Sequence, residues 1–184
     1  LLKGYVTGKN EFWHYLLGIV AAFAGYLTFQ LIMMIPLLSA AMSNGISMND
    51  IAQDPNILFN PEKIGIDKNV LLALMMGMFV FTLLFFWLAI KFIQKKPLSS
   101  IITGFENIRW KRYFFSFGVW GILITILTIL SYLISPQDIE IRFNAGNFIV
   151  LLFVSVIFIP IQTATEELIF RGYLMQGFGL VFKN

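Results

Sequence analysis

The sequence of 184 residues contains no cysteine and only one histidine, His14. Without cysteine the chain has no disulfide scaffold, no thiolate metal site and no thiol nucleophile. Charged residues are also scarce, at 12% of the chain, whereas they make up about a quarter of a soluble domain. The net charge of +3 is too small to indicate nucleic-acid binding, so we expect no nucleic-acid partner.

Apolar residues are correspondingly abundant. They make up 58% of the chain and include 20 phenylalanines, more large apolar surface than a soluble core of this size could cover. Lipid is therefore the expected solvent and the bilayer the expected partner. We predict an all-α, polytopic transmembrane helical bundle that forms a single domain.

Four stretches lack Asp, Glu, Lys and Arg for long enough to cross a bilayer, which takes about 20 helical residues. The predicted spans are 15–42, 69–90, 113–135 and 143–165. A further helix is predicted to start near 161 and to continue to about 182, because Pro160 is expected to kink the chain or to restart the helix. Because that apolar helix stops in mid-course, we expect the sequence to be truncated at its C-terminal end.

Basic residues predict the orientation. The N-terminal arm and the second connection together hold eight Lys and Arg, and the first and third connections hold three. The positive-inside rule then places the N-terminus, the second connection and the end of the fourth span at the cytoplasmic face. The acidic first connection, 43–68, is expected to be an external loop with turns. Residues 98–110 fit either a helix along the cytoplasmic interface or a simple basic loop with aromatic anchors.

Three ionisable residues at the end of the fourth span form the candidate site: Glu166, Glu167 and Arg171. A charge near mid-bilayer costs about 2.5 to 3.5 kcal/mol, so such groups usually line a cavity or pair inside the bundle. Helical spacing predicts that Glu167 pairs with Arg171 at i+4, while Glu166 projects onto an adjacent face. Glu166 is then free for general-base work. The structural alternative is a charge network that holds helices together, or a snorkelling helix end.

These residues resemble the first signature of the CAAX protease and bacteriocin-processing family, which has Glu-Glu-x-x-x-Arg followed by Gly. The matching residues are Glu166-Glu167-Leu168-Ile169-Phe170-Arg171-Gly172. The resemblance implies an intramembrane endopeptidase with a peptide or protein substrate, in which Glu166 activates water and Glu167 and Arg171 support the site. Family members are described both as metalloproteases and as metal-free, glutamate-dependent enzymes. The resemblance therefore leaves cofactor and metal ligands undetermined.

The family's later histidine motifs are absent from this sequence, and His14 fits neither of them. We expect His14 to be an interfacial polar residue, and we expect the 184 residues alone to lack protease activity. The alternative function is a non-catalytic scaffold, an immunity factor or a subunit of a membrane complex. A transporter with Glu166 as proton carrier is disfavoured, because no paired broken helices occur in two related halves.

Overall fold

The computed structural model describes residues 11–97, 101, 110–138 and 143–181, and this part of the chain is helical without any strand. Four helices are long and apolar enough to cross a membrane: Phe12–Ser43, Lys68–Gln94, Trp110–Ile134 and Ala145–Gly179. The predicted class, an all-α transmembrane bundle, is confirmed. The chain is a multi-pass membrane protein in contact with lipid.

The described elements follow one another in this order. They are α1 (Phe12–Ser43), α2 (Met48–Gln53), a 3₁₀ turn (Pro55–Phe59), α3 (Pro61–Ile64), α4 (Lys68–Ala89), a π-helical turn that we call π1 (Ile90–Gln94), α5 (Trp110–Ile134), a 3₁₀ turn (Pro136–Asp138), α6 (Ala145–Glu166), a π-helical segment that we call π2 (Glu167–Leu174) and α7 (Met175–Val181).

The chain divides into two compact units. One consists of Leu1–Gly104 and Gly146–Asn184, and the other of Phe105–Ala145. The second unit contains α5, none of whose side chains is buried, as expected of a span with apolar residues on every side. The predicted interfacial segment 98–110 lies outside the described residues, apart from the buried Ile101 and the exposed Trp110.

Glycines allow α1 and α4 to pack closely. A Cβ at Gly25 would lie 2.8 Å from Phe85 Cβ, and one at Gly77 would lie 2.9 Å from Phe29 Cε1. The rings of Phe29 and Phe81 also meet across this interface at 5.0 Å. In lipid, where no hydrophobic effect joins helices, small residues facing large ones give the dispersion contact that holds two spans together.

The first connection is a packed cap over one end of α1 and α4. Ser47 and Asp50 form a capping box at the start of α2, and Asn44 Nδ2 donates to the carbonyl oxygen of Ile64 at 2.9 Å. Gly65 follows with a left-handed φ of 68°, where a side chain would be strained. Beneath lies a core of six buried apolar residues: Met33, Leu37, Ala41, Leu58, Ile64 and Leu71. The predicted loop with turns is therefore three short helical turns locked onto a core.

The fourth span differs from prediction at Pro160. Helix α6 runs from Ala145 to Glu166 with Pro160 inside it. Of the two predicted effects of this proline, a kink or a restart of the helix, the restart is therefore wrong. A proline removes only one backbone donor, and membrane helices accommodate this loss. The helix instead changes geometry at Glu167, where π2 begins, and it returns to α geometry at Met175.

Candidate functional site

The three predicted site residues lie where α6 passes into π2. Arg171 Nη1 lies 3.1 Å from Glu167 Oε2, which confirms the predicted i+4 pair. Glu166 is the last residue of α6 and has a different neighbour. Gln162 Nε2 lies 3.4 Å from Glu166 Oε1, at the far limit of a hydrogen bond. Among the described residues, one carboxylate is thus neutralised by a cation, and the other faces a neutral amide.

The same residues form an exposed stripe on one side of the helix, which we call the acidic stripe. Glu166, Glu167, Phe170 and Arg171 are all exposed, with 47% of the Glu167 side chain and 79% of the Arg171 side chain accessible. The ion pair is formed within one helix, and among the described residues it does not link that helix to another. A pair formed within one helix does not by itself hold two spans together.

The opposite side of the helix is anchored to α4. Thr165 is 1% exposed, and its hydroxyl lies 2.7 Å from the carbonyl oxygen of Ile161 and 3.4 Å from that of Phe79. Near the other end of the span, Asn69 Nδ2 donates to the carbonyl oxygen of Asn147 at 3.1 Å. These two contacts fix α6 against α4, with the acidic stripe on the free side.

Between these anchors is an open, entirely apolar cavity of about 450 Å³. It is lined by Phe29, Val70, Ala73, Leu74, Gly77, Val80, Phe81 and Phe158. No charged or hydrogen-bonding side chain lines it, so its walls suit a hydrocarbon chain or an apolar side chain. It offers no group for chemistry.

A polar and aromatic junction lies at the end of π2, and sequence reasoning missed it. Tyr173 is fully buried; its hydroxyl donates to the carbonyl oxygen of His14 at 2.9 Å and accepts from Gln94 Nε2 at 2.6 Å. Its ring packs edge-on against Phe86 and lies tilted over Tyr15, with centroids 5.0 and 4.8 Å apart. The available signal was a tyrosine and a glutamine within apolar runs, where each needs a buried partner.

Lys96 lies beside this junction, just beyond the end of the second span. It is 4% exposed, and its Nζ is 3.2 Å from Tyr15 Oη and 5.1 Å from the centre of the Tyr15 ring. Burial lowers the pKa of the Lys96 amine. The contact with the tyrosine ring partly offsets the cost of burying this cation.

The backbone of His14 contacts π2. Its carbonyl oxygen accepts from Tyr173, while its imidazole Nδ1 lies 3.7 Å from Glu11 Oε2. Among the described residues no group of three or more His, Asp and Glu side chains could hold a metal ion. The described part of the chain therefore offers Glu166 as its unpaired carboxylate at the site and no metal centre.

The fold and the site together define a multi-pass helical membrane protein with an acidic stripe on its fourth span. No family model matches the chain, and no solved structure matches it. The chain is similar to the uncharacterized protein YyaK of Bacillus subtilis (strain 168), with 32% identity over 181 residues, which is 97% of this chain. The matched region spans 57% of the length of YyaK.

Proposed function

We propose that this chain is the membrane-embedded part of an intramembrane endopeptidase of the CAAX protease type, in which Glu166 activates the attacking water. The observation that carries the proposal is the unequal state of the two carboxylates. Arg171 neutralises Glu167, whereas Glu166 keeps an uncompensated carboxylate on the exposed face, one residue away. A general base needs a carboxylate that can take up a proton, and the ion pair leaves Glu166 in that state.

The chemistry assigned to Glu166 is proton transfer in both directions. Its carboxylate removes a proton from water as the water oxygen attacks a peptide carbonyl carbon, which leaves negative charge on the carbonyl oxygen. The protonated Glu166 then donates to the amide nitrogen as the carbon–nitrogen bond breaks, giving a carboxylic acid and an amine. Donors that stabilise the negative oxygen are worth several kcal/mol, and we assign them to parts of the protein outside the described residues.

Glu167 and Arg171 act as positioning residues in this proposal. The ion pair fixes the first turn of π2, and the charge of Arg171 prevents two neighbouring carboxylates from repelling one another. A divalent metal, used by some proteins of the resembled family, would find one unpaired carboxylate at the described site. Because such ions take several protein ligands, the described residues do not form a metal site by themselves and no step is assigned to a metal.

The test is a comparison of newly formed protein N-termini in membranes of cells that express the complete gene. The wild-type protein is compared with Glu166→Gln, which keeps the shape and hydrogen bonding of the side chain but removes the base. Glu62→Gln is the matched control, since Glu62 is an exposed, ion-paired carboxylate in the first connection. We expect a set of N-termini that disappears in Glu166→Gln and persists in Glu62→Gln. Identical N-termini in all three strains would refute the protease function.

A non-catalytic membrane scaffold or complex subunit is the second candidate. It is favoured by the single histidine of the sequence, whose imidazole lies beside Glu11. This function predicts that Glu166→Gln leaves all N-termini unchanged, and that a partner protein co-purifies equally with the wild type and the variant. The same strains therefore separate the two functions.

We further propose that the acidic stripe lies near the cytoplasmic face, on the strength of the distribution of Lys and Arg. Since the chain has no cysteine, a single cysteine at Asn56 in the first connection gives a clean label. An impermeant maleimide added to intact cells should modify this cysteine. Modification only after the cells are broken would reverse the orientation.

A further inference from the structure

Two π-helical segments in the described part of the chain meet at one hydrogen bond. Gln94 is the last residue of π1, Tyr173 lies in π2, and the Gln94 amide donates to the Tyr173 hydroxyl at 2.6 Å. Both side chains are buried, at 1% and 0% exposure. π turns are rare and are found mostly at functional sites. Two that are 79 residues apart and joined side chain to side chain indicate that each supports the other.

The π geometry determines which residues share a face. Tyr173 lies seven positions after Glu166 in the sequence. In an α-helix with 3.6 residues per turn, these two side chains would lie on the same side. A π-helix takes about one residue more per turn, so the same interval covers roughly one and a half turns. The two side chains then point in opposite directions. This is what the structure shows, since Tyr173 is fully buried and Glu166 is exposed.

The pocket around Tyr173 leaves its ring one position. A Cβ at Gly18 would overlap the Tyr173 hydroxyl, so only glycine fits at this point of α1. Phe86 and Tyr15 contact two sides of the ring, and the hydroxyl is held by both Gln94 and the carbonyl oxygen of His14. Three segments of the chain thus meet at one oxygen atom. A rotation of π2 would break both hydrogen bonds at once.

We propose that the Gln94–Tyr173 hydrogen bond is a positioning contact that holds π2 in π geometry and thereby keeps Glu166 on the exposed face. Without it, π2 relaxes toward α geometry. While Phe86 and Tyr15 keep the Tyr173 ring in its pocket, the turn that holds Glu166 rotates toward the bundle interior and loses the 3.4 Å contact of Thr165 with the Phe79 carbonyl oxygen. The use of the exposed carboxylate as a base rests on the proposed function, but the positioning itself does not.

The first measurement does not depend on proteolysis. Single cysteines replace Glu166 or the half-buried Leu174 in the complete protein in membranes, after replacement of any cysteine outside these 184 residues by serine, and the rates of modification by N-ethylmaleimide are compared. In Gln94→Leu, which loses one buried hydrogen bond, we expect the ratio of rates at 166 and 174 to fall about fivefold. Tyr173→Phe keeps the ring but loses the bonds to both Gln94 and the His14 carbonyl, so the ratio should fall at least as far. The double variant should fall no further than Tyr173→Phe alone, because the bond to Gln94 is already lost there.

The matched control is Tyr26→Phe, which removes the hydroxyl of another, half-buried tyrosine of α1 and should leave the ratio unchanged. A purely stabilising role of Tyr173 would lower the unfolding temperature without changing the ratio, and that result overturns the proposal. Additive effects of the two substitutions also overturn it, because they exclude a shared contact.

The second measurement concerns cleavage. If the protein cleaves peptides, Tyr173→Phe should lower kcat about fivefold with little change in KM, because substrate contacts are kept while the base is displaced. A shifted labelling ratio in a protein without any cleavage activity supports the positioning contact and refutes the proposed function. An unchanged ratio refutes the positioning contact whatever the cleavage result.

Discussion

Substitution of Arg171 by glutamine separates a functional ion pair from a structural one. The pair joins Arg171 Nη1 and Glu167 Oε2 at 3.1 Å within one helix, with 79% and 47% of the two side chains exposed. Pairs at i+4 on a helix surface contribute about 0.3 to 0.5 kcal/mol. Arg171→Gln should therefore lower the free energy of unfolding by less than about 1 kcal/mol.

The expected effect of Arg171→Gln on the proposed protease activity is much larger. Without the guanidinium, Glu167 loses its fixed position and becomes a second free negative charge beside Glu166. Displacement of a catalytic group by about 1 Å costs on the order of a hundredfold in rate, equivalent to about 2.7 kcal/mol of transition-state stabilisation. The loss of transition-state stabilisation should thus be several times larger than the loss of unfolding free energy.

The chain contains its own control for this comparison. Glu62 and Lys68 form an ion pair of 2.9 Å, with 77% and 71% of their side chains exposed. Lys68→Gln removes a pair of similar strength away from the acidic stripe. We would measure unfolding in detergent and kcat/KM for both variants, and expect similar small losses of stability but a loss of activity only in Arg171→Gln. Destabilisation of several kcal/mol in Arg171→Gln alone, or equal activity in both variants, would refute the reasoning.

Two further predictions concern the cap formed by the first connection. Ile64→Ala removes a fully buried side chain from the core beneath α3 and should cost about 3 kcal/mol of unfolding free energy, measured by chemical denaturation; a cost below about 1 kcal/mol would show that the cap is not packed. The capping box gives a pH dependence, because hydrogen bonds from the Ser47 hydroxyl and backbone N–H lower the pKa of Asp50. Its stabilising effect on α2 is complete above the ordinary carboxyl pKa of about 4 and is lost as pH falls through the lowered value. The protection of the α2 amides against exchange, corrected for the intrinsic pH dependence of the exchange rate, should therefore fall at acid pH in the wild type and show no such step in Asp50→Asn, and the same step in both proteins would contradict the assignment.

Charge-free length was sufficient to predict the four spans. The prediction 113–135 corresponds to Trp110–Ile134, and the other spans begin within a few residues of the predicted positions. The second span was predicted to end at Ile90, before the charge of Lys91, but the helix continues to Gln94. The helix continues past Lys91 because the long Lys91 side chain reaches back over the Trp87 ring, with Nζ 4.8 Å from the ring centre. A charge limits the apolar span but does not end the helix.

The candidate site was predictable only in part. The i+4 pair of Glu167 and Arg171 is confirmed, because residues four apart stay close on a helix surface in both α and π geometry. The π geometry itself was not predictable, since it depends on contacts with Gln94 and His14, which are 79 and 159 residues from Tyr173. Local spacing determines which residues can pair. Contacts between distant helices determine which face is exposed.

The cap shows the same limit. The connection 43–68 was predicted as a loop with turns, but the helical turns within it depend on a core that brings Ile64 onto α1. Pro160 misled the prediction in the other direction. A proline predicts a break where the backbone has no support, whereas α6 is held at Thr165 by α4 and continues through the proline.

The most direct test uses purified full-length protein and, as substrate, a membrane protein whose new N-terminus depends on the wild-type gene. The measured quantity is the initial rate of cleavage of this substrate. If Glu166 is the base in peptide-bond hydrolysis, Glu166→Gln should lower this rate by about a thousandfold or more, with unfolding unchanged. Cleavage at the wild-type rate by a folded Glu166→Gln variant would show that Glu166 is not the base.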